Sequence, residues 1–244
     1  MKRSRVLAFT SLSLSASLAL IAPVTLAAQV GADPSHSPYH DIRHGNGWTV
    51  SMGHLGGSGG PLRQSPNSGQ TFGVRYDIRL SGLLQGFAEL GYLKGQRMLL
   101  NPDDSVIHRY TGPIDAPVWT PQIGLQINIS GPKTWHGAAP FVAFGLGAAI
   151  GKKTTQDTTQ YLFGTKLLFK PSVGVRYYLG DRIHVRLEGS MYYWKMKYPV
   201  DWLNEPAAQP SVLNAPTTAP IASSSGLTGW VHTPELRVGI GVAF

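Results

Sequence analysis

From about residue 47 onward, apolar and polar residues alternate one by one along most of the chain. A period of two puts successive side chains on opposite faces of a strand. Eight segments carry the pattern. Trp48, Val50 and Met52 form the first apolar row. Phe72, Val74, Tyr76, Ile78 and Leu80 form the second. Leu84, Ala88, Leu90 and Tyr92 form the third, with Phe87 out of phase. The fourth runs Trp119, Ile123, Leu125, Ile127, Ile129, and the fifth Val142, Phe144, Leu146, Ala148, Ile150. The sixth is Phe169, Val173, Val175, Tyr177 and Leu179. The seventh is Ile183, Val185, Leu187, Met191 and Tyr193, and the last Trp230, Leu236, Val238, Ile240, Val242 and Phe244. Most are close to the ~9–11 residues that a tilted strand needs to cross a bilayer. Pro121, Pro171 and Pro234 each lack a ladder donor, which predicts bulged or frayed pairing near the outer ends of their strands.

Alternation alone does not say which row is inside. A soluble barrel turns its apolar row inward and a membrane barrel turns it outward. The connections favour the second. Long gaps (55–70, 95–118, 151–166, 199–229) alternate with shorter ones (81–83, 130–139, 180–182), as in barrels with long outer loops and short periplasmic turns. The aromatics are sorted by height. Phe72, Tyr92, Trp119, Tyr193 and Trp230 stand beside the long loops, and Trp48, Tyr177 and Phe244 stand at the other rim. Amphipathic rings favour the headgroup level, so these are expected to form two girdles. The expected fold is all-β: a closed antiparallel transmembrane barrel of about eight strands. An open edge in hydrocarbon would leave backbone groups unpaired at several kcal/mol each, so the first strand must meet the last.

The N-terminus adds an export signal. Met1–Arg5 is basic, Val6–Ala22 is mostly apolar, and small residues at Ala27, Ala28 and Ala32 offer cleavage sites. The expected organisation is a signal peptide over 1–32 with cleavage around 27–32, an irregular leader over 33–46, and the barrel over 47–244. Gly (29 residues) and Pro (18) are plentiful and charge is sparse at 14%, which suits strands and turns. The formal charge is +8, and setting aside Lys2, Arg3 and Arg5 leaves +5. No cationic cluster of the nucleic-acid type accompanies it, and such an excess also suits anionic lipid. With no cysteine, disulfides, thiolate metal sites and a lipoprotein anchor are excluded.

Arg237, Gly239, Val242 and Phe244 complete the argument. A polar residue, a glycine two later, a hydrophobic residue third from the end and a terminal Phe resemble the assembly signal of bacterial outer-membrane barrels. From about Gly47 to Phe244 the chain resembles the small eight-stranded OmpA/OmpX-type superfamily. The resemblance implies residence in the outer membrane, insertion by the barrel-assembly machinery, and contact with outer-membrane lipid and lipopolysaccharide.

Candidate chemistry is thin. On the polar rows, Arg75, Arg79, Arg176, Arg186 and Arg237 accompany Glu89, Glu188 and Glu235. In a barrel they would line the lumen, either as a narrow anion-favouring pathway or as an electrostatic plug, and ~8 strands leave little free bore. A three-residue turn over Ser81–Leu83 would set Arg75 opposite Glu89. His184, Glu188 and Ser190 share a strand face, but at ~3.4 Å per residue the first and last stand ~20 Å apart, too far for a triad. His36, His40 and His44 have metal-binding spacing only on a helix, which Pro34, Pro38 and Gly45 oppose. Gly56–Gly60 lacks the Lys and the following helix of a phosphate loop. No cofactor or metal is therefore expected, nor a nucleic-acid partner. The expected function is a structural or surface-interaction role with narrow permeation as an option. Two rivals stand beside it. A carrier of small hydrophobic molecules would show a lateral opening or an apolar lumen. A lipid-modifying enzyme would bring His and Ser together from adjacent strands near the outer rim.

Overall fold

The computed structural model describes residues 37–57, 59–152, 161–204, 219–221 and 226–244. The export signal and His36 lie outside them. Among the described residues ten strands form: β1 (Tyr39–Asp41), β2 (Gly47–Leu55), β3 (Ser68–Arg79), β4 (Leu84–Leu100), β5 (Tyr110–Asn128), β6 (Lys133–Trp135), β7 (Ala138–Gly151), β8 (Thr165–Tyr178), β9 (Ile183–Lys197) and β10 (Thr228–Ala243). Eight of them close a ring in the order β7-β5-β4-β3-β2-β10-β9-β8, with β8 pairing back to β7. All pairings are antiparallel. The first barrel strand meets the last, with Val50 opposite Ile240 and Trp48 opposite Val242. Closure leaves no edge within the wall, as hydrocarbon demands. Among the described residues no helix is long and apolar enough to cross a membrane.

The apolar rows face outward. Val50, Met52, Ile123, Leu236 and Val238 are all exposed, whereas Thr49, Ser51, Gln122, Glu235 and Arg237 on the alternate rows are buried. In water such a surface would cost about 25 cal/mol per Å², so the wall is built for lipid.

Several strands run further outward than alternation suggests. The expected gap over 95–118 is mostly strand, because β4 continues to Leu100 and β5 begins at Tyr110. β8 starts at Thr165 and β9 ends at Lys197. The reason is an inversion of polarity at the outer girdle. Below it, Leu90 points out and Glu89 points in; above it, Leu93, Leu99, Trp194 and Met196 point in while Lys94, Gln96 and Lys195 point out. The lower wall is a membrane barrel and the upper wall a water-soluble one. Because β8 begins early, Pro171 sits in mid-strand rather than at the outer end. The β8–β9 ladder skips from Phe169–Tyr193 to Ser172–Ser190, and the β5–β7 ladder skips past Pro121 between Trp119 and Gln122, in both cases without a register shift.

The segment read as an irregular leader and the 130–139 connection contain two further short strands. Tyr39–Asp41 pairs with Lys133–Trp135 beneath the barrel. Ile42 N–H donates to Pro132 O at 2.7 Å, so the chain crosses the periplasmic mouth before entering β2.

Candidate functional site

The lumen has two layers. The periplasmic layer is polar and filled. Arg75 lies opposite Glu89, their charged atoms 3.9 Å apart. Arg75 Nε also donates to Asp77 Oδ1 at 2.8 Å and its Nη2 to Gln126 Oε1 at 2.8 Å. Lys170 Nζ reaches Glu235 at 3.2 Å, Glu89 at 3.3 Å and Glu188 at 3.8 Å. Arg186 pairs with Glu188 at 2.6 Å. Arg237 bridges Glu89 and Glu235, and its Nη2 donates to Tyr192 Oη at 2.9 Å. Arg176 donates to Gln85 Oε1 at 2.8 Å and to Asn128 Oδ1 at 2.7 Å.

Five cations thus interleave with four carboxylates, all of them buried. Near-balance matters, since an unpaired charge there would lack both water and a partner. Two inward aromatics complete the packing. The Arg75 guanidinium lies 3.5 Å from the Phe87 ring centre, and that of Arg186 lies 3.9 Å from Phe141. This is why Phe87 is out of phase: it is a lumen shelf, seated over Gly124, where a Cβ would fall 2.4 Å from its ring. A cavity among Thr49, Ser51, Glu89, Glu188 and Arg237 is about 10 Å³, room for at most one water.

Arg79 stands apart from the network. It turns down to the mouth, donating from Nη2 to Ile42 O at 2.6 Å and to His44 O at 3.0 Å, and so holds the crossing segment in place. Lys170 and Asp77 take the inner positions instead. Both are on polar rows, but isolated strands do not reveal how many carboxylates surround them.

The outer layer is apolar. Leu55, Leu93, Leu100, Leu168, Tyr192, Trp194, Met196 and Val231 fill the bore, with Tyr192 and Trp194 stacked 5.1 Å apart. Three outer segments fold inward over them. Residues 59–67 insert Gln64 and Ser65, both fully buried. Arg97 Nη1 donates to Gln64 Oε1 at 2.9 Å, and Gln64 Nε2 donates to Leu62 O and Met98 O. Gly60 has φ of 78° and a Cβ there would meet Val231 at 2.7 Å, so the glycine-rich stretch lets the chain dip into the mouth. Tyr161 and Trp202 come from the other two segments, 5.3 Å apart. Burial pushes the Tyr161 hydroxyl above its ordinary range, and Tyr198 adds to the shift.

One gap remains. β2 ends at Leu55, so the stretch of β10 from Thr228 to Thr233 has no β2 partner. Beside it lies an apolar pocket of about 260 Å³, lined by Leu62, Tyr198, Ile221, Trp230 and Val231 among others. A shallower concavity of about 710 Å³ runs over Ala88, Leu90, Pro121 and Ile123 on the lipid-facing wall.

The girdle residues Trp48, Phe72, Trp119, Tyr177, Trp230 and Phe244 are exposed, with Tyr92 and Tyr193 half-buried. Trp48 and Tyr76 pack at 4.7 Å, as do Tyr92 and Trp119. In the terminal motif, Arg237 lies in the plug, Gly239 opens room for Ser51, and Val242 and Phe244 face outward.

His184 and Ser190 do not meet. His184 Nε2 lies 3.3 Å from Thr49 Oγ1, and Ser190 donates to Glu235 at 2.8 Å. A Ser–His contact does exist in the outer loop, Ser105 Oγ to His108 Nδ1 at 3.2 Å. It is a local turn, with the His108 and Arg109 amides both donating to Ser105 O, not a meeting of adjacent strands. His40 sits in β1, and no metal-ligand cluster occurs among the described residues.

Solved structures of similar shape are small outer-membrane proteins. OprG from Pseudomonas aeruginosa aligns with a TM-score of 0.51 at 10% identity, over 85% of this chain and 99% of that one. Neisserial surface protein A gives 0.45 at 12%, over 85% and 98%. AlkL gives 0.39 at 10%, over 88% and 96%. No family model and no curated protein sequence matches the chain. The ring of eight strands, the lipid-facing belt and the OprG match define an outer-membrane β-barrel. Its architecture is a closed antiparallel barrel of eight strands, the fold seen in OprG.

Proposed function

We propose that this barrel is a sealed outer-membrane element with a structural or surface-interaction role, neither a pore nor an enzyme. The interlocked charges across the lumen carry the reading. A conducting path must let ions enter and leave, and here every charged group is held by a neighbour, with space for about one water beneath a folded outer cap. The local Ser105–His108 turn has no carboxylate on His108 among the described residues, so it lacks the third group that orients a catalytic base. Insertion by the assembly machinery rests on the terminal motif. The test is reconstitution in planar bilayers. The expected record shows no unitary conductance steps at either polarity, and steady single-channel openings from the refolded chain would overturn the sealed bore.

A second reading has one observation in its favour. The apolar pocket beside the unpaired edge of β10 is where a carrier of small hydrophobic molecules would take its cargo. Its size is near the lower end for small-molecule sites. A fluorescent apolar probe in nanodiscs is expected to bind there, and Val231→Trp, which fills the pocket, should cut binding about tenfold. Equal binding by both forms would remove the carrier reading.

A further inference from the structure

The periplasmic layer of the lumen holds one cation more than its carboxylates balance. Arg75 pairs with Asp77 at 2.8 Å and Arg186 with Glu188 at 2.6 Å, while Lys170 and Arg237 share Glu89 and Glu235. Arg176 is as deeply buried as the others, yet among the described residues it forms no ion pair. Its acceptors are the neutral side-chain amides of Gln85 and Asn128, and both are reached by Nη2. Its Nε is buried with no hydrogen-bond partner.

The pairing register isolates it further. Arg176 stands directly opposite Arg186 across β8 and β9, and like charges in facing positions repel. Tyr178 stands opposite His184 on the same inward rows, so His184 is the diagonal neighbour of Arg176, roughly 7–8 Å away along the backbone. His184 is buried too, and its Nδ1 has no partner. Nε2 lies 3.3 Å from Thr49 Oγ1. With that hydroxyl donating, Nδ1 carries the ring proton and is itself a donor. Two buried donors without acceptors therefore lie beside one uncompensated charge. A buried cation lacking a counter-charge is costly, and unmade hydrogen bonds add to the cost.

We propose that a small monovalent anion of the halide class binds here, accepting from Arg176 Nε and His184 Nδ1. The count sets its charge. One negative charge brings four carboxylates level with five cations, whereas a divalent phosphate or sulfate would overshoot. The way in is from the periplasm. Tyr178 is the next inward residue below Arg176, and its ring lies 5.3 Å from that of His184. It also lines a pocket of about 190 Å³ at the periplasmic mouth, together with Ile42, Gly137 and Asp181. An ion held behind Tyr178 completes the plug and screens Arg176 from Arg186.

The test is urea unfolding of the full chain refolded in phosphatidylcholine vesicles, with bromide replacing gluconate at fixed ionic strength. One anion bound by the folded state alone raises the folded-to-unfolded ratio about tenfold for each tenfold rise in bromide above its dissociation constant. The native chain is expected to show this slope and Arg176→Met to lose it. Arg182→Gln, on the exposed turn before β9, should keep it. A flat response in the native chain overturns the proposal and leaves the amides of Gln85 and Asn128 to carry the charge alone. A slope that survives in Arg176→Met overturns it as well, because the ion then binds elsewhere. If Arg176→Met does not fold, anomalous scattering from native crystals grown in bromide decides the matter. A peak beside Arg176 Nε is expected, and no peak there overturns the site.

Discussion

Replacing Glu89 with alanine is expected to destabilise the folded barrel by about 3–5 kcal/mol, the range seen when one member of a buried ion cluster is removed. Glu89 is where the plug converges. Arg237 and Lys170 bind its carboxylate, Arg75 stands across from it, and Gln122 Nε2 donates to Oε1 at 2.9 Å. Without it, three cations crowd together in a space with no room for compensating water. Urea unfolding of the barrel refolded in vesicles, followed by the shift between folded and unfolded bands on a gel, measures the loss. Glu89→Ala combined with Lys170→Met should cost less than the sum of the single changes, because the second removes one of the cations that the first strands. A loss below 1 kcal/mol for Glu89→Ala would mean that water reaches the cluster. The sealed bore would fall with it, and conductance would become the expected result.

The membrane-spanning part of this fold is legible in the sequence because one rule governs it. From Trp48 to Met52 or Trp119 to Ile129, lipid on one side and a packed lumen on the other impose a strict period of two. The rule fails above the girdle because the solvent changes. On β4 the outward row passes from Leu90 and Tyr92 to Lys94 and Gln96, while the inward row passes from Glu89 to Leu93 and Leu99. A pattern that inverts in mid-strand reads as the end of the strand. The same inversion hid the apolar upper core, since Trp194 and Met196 share a row with Glu188 and Ser190.

The plug was legible in kind but not in connection. Arg75 opposite Glu89 follows from the length of one turn. That Lys170 meets Glu89, Glu188 and Glu235 depends on closure of the whole ring, because these residues come from β8, β4, β9 and β10. Arg79 shares the parity of Arg75, yet it lies at the rim, where the crossing segment offers two backbone carbonyls in place of a carboxylate. No local pattern announces that the segment before β2 folds under the barrel. Its contacts are with distant residues, a backbone bond to Pro132 and the Arg79 side chain among them, and three-residue strands leave too short a run for alternation to register.

The orientation of the rows makes a second large effect predictable. Val238→Arg is expected to cost about 2–4 kcal/mol in bilayers, the penalty for a cation near the midplane on the lipid face, whereas Thr228→Arg should cost about 0–1 kcal/mol. The two positions share the outward row of β10, ten residues apart. Val238 lies midway between Trp230 and Phe244, with Leu187 and Met52 as its cross-strand neighbours. Thr228 stands opposite Lys197, beyond Trp230 toward the outer loops. Neither substitution touches the lumen, so the difference between them isolates depth in the membrane from every effect of packing. Refolding each variant into vesicles and measuring urea unfolding gives the two numbers. In a soluble barrel an exposed valine tolerates arginine at within about 0.5 kcal/mol, so equal, small costs at both positions would place water, not lipid, against the belt.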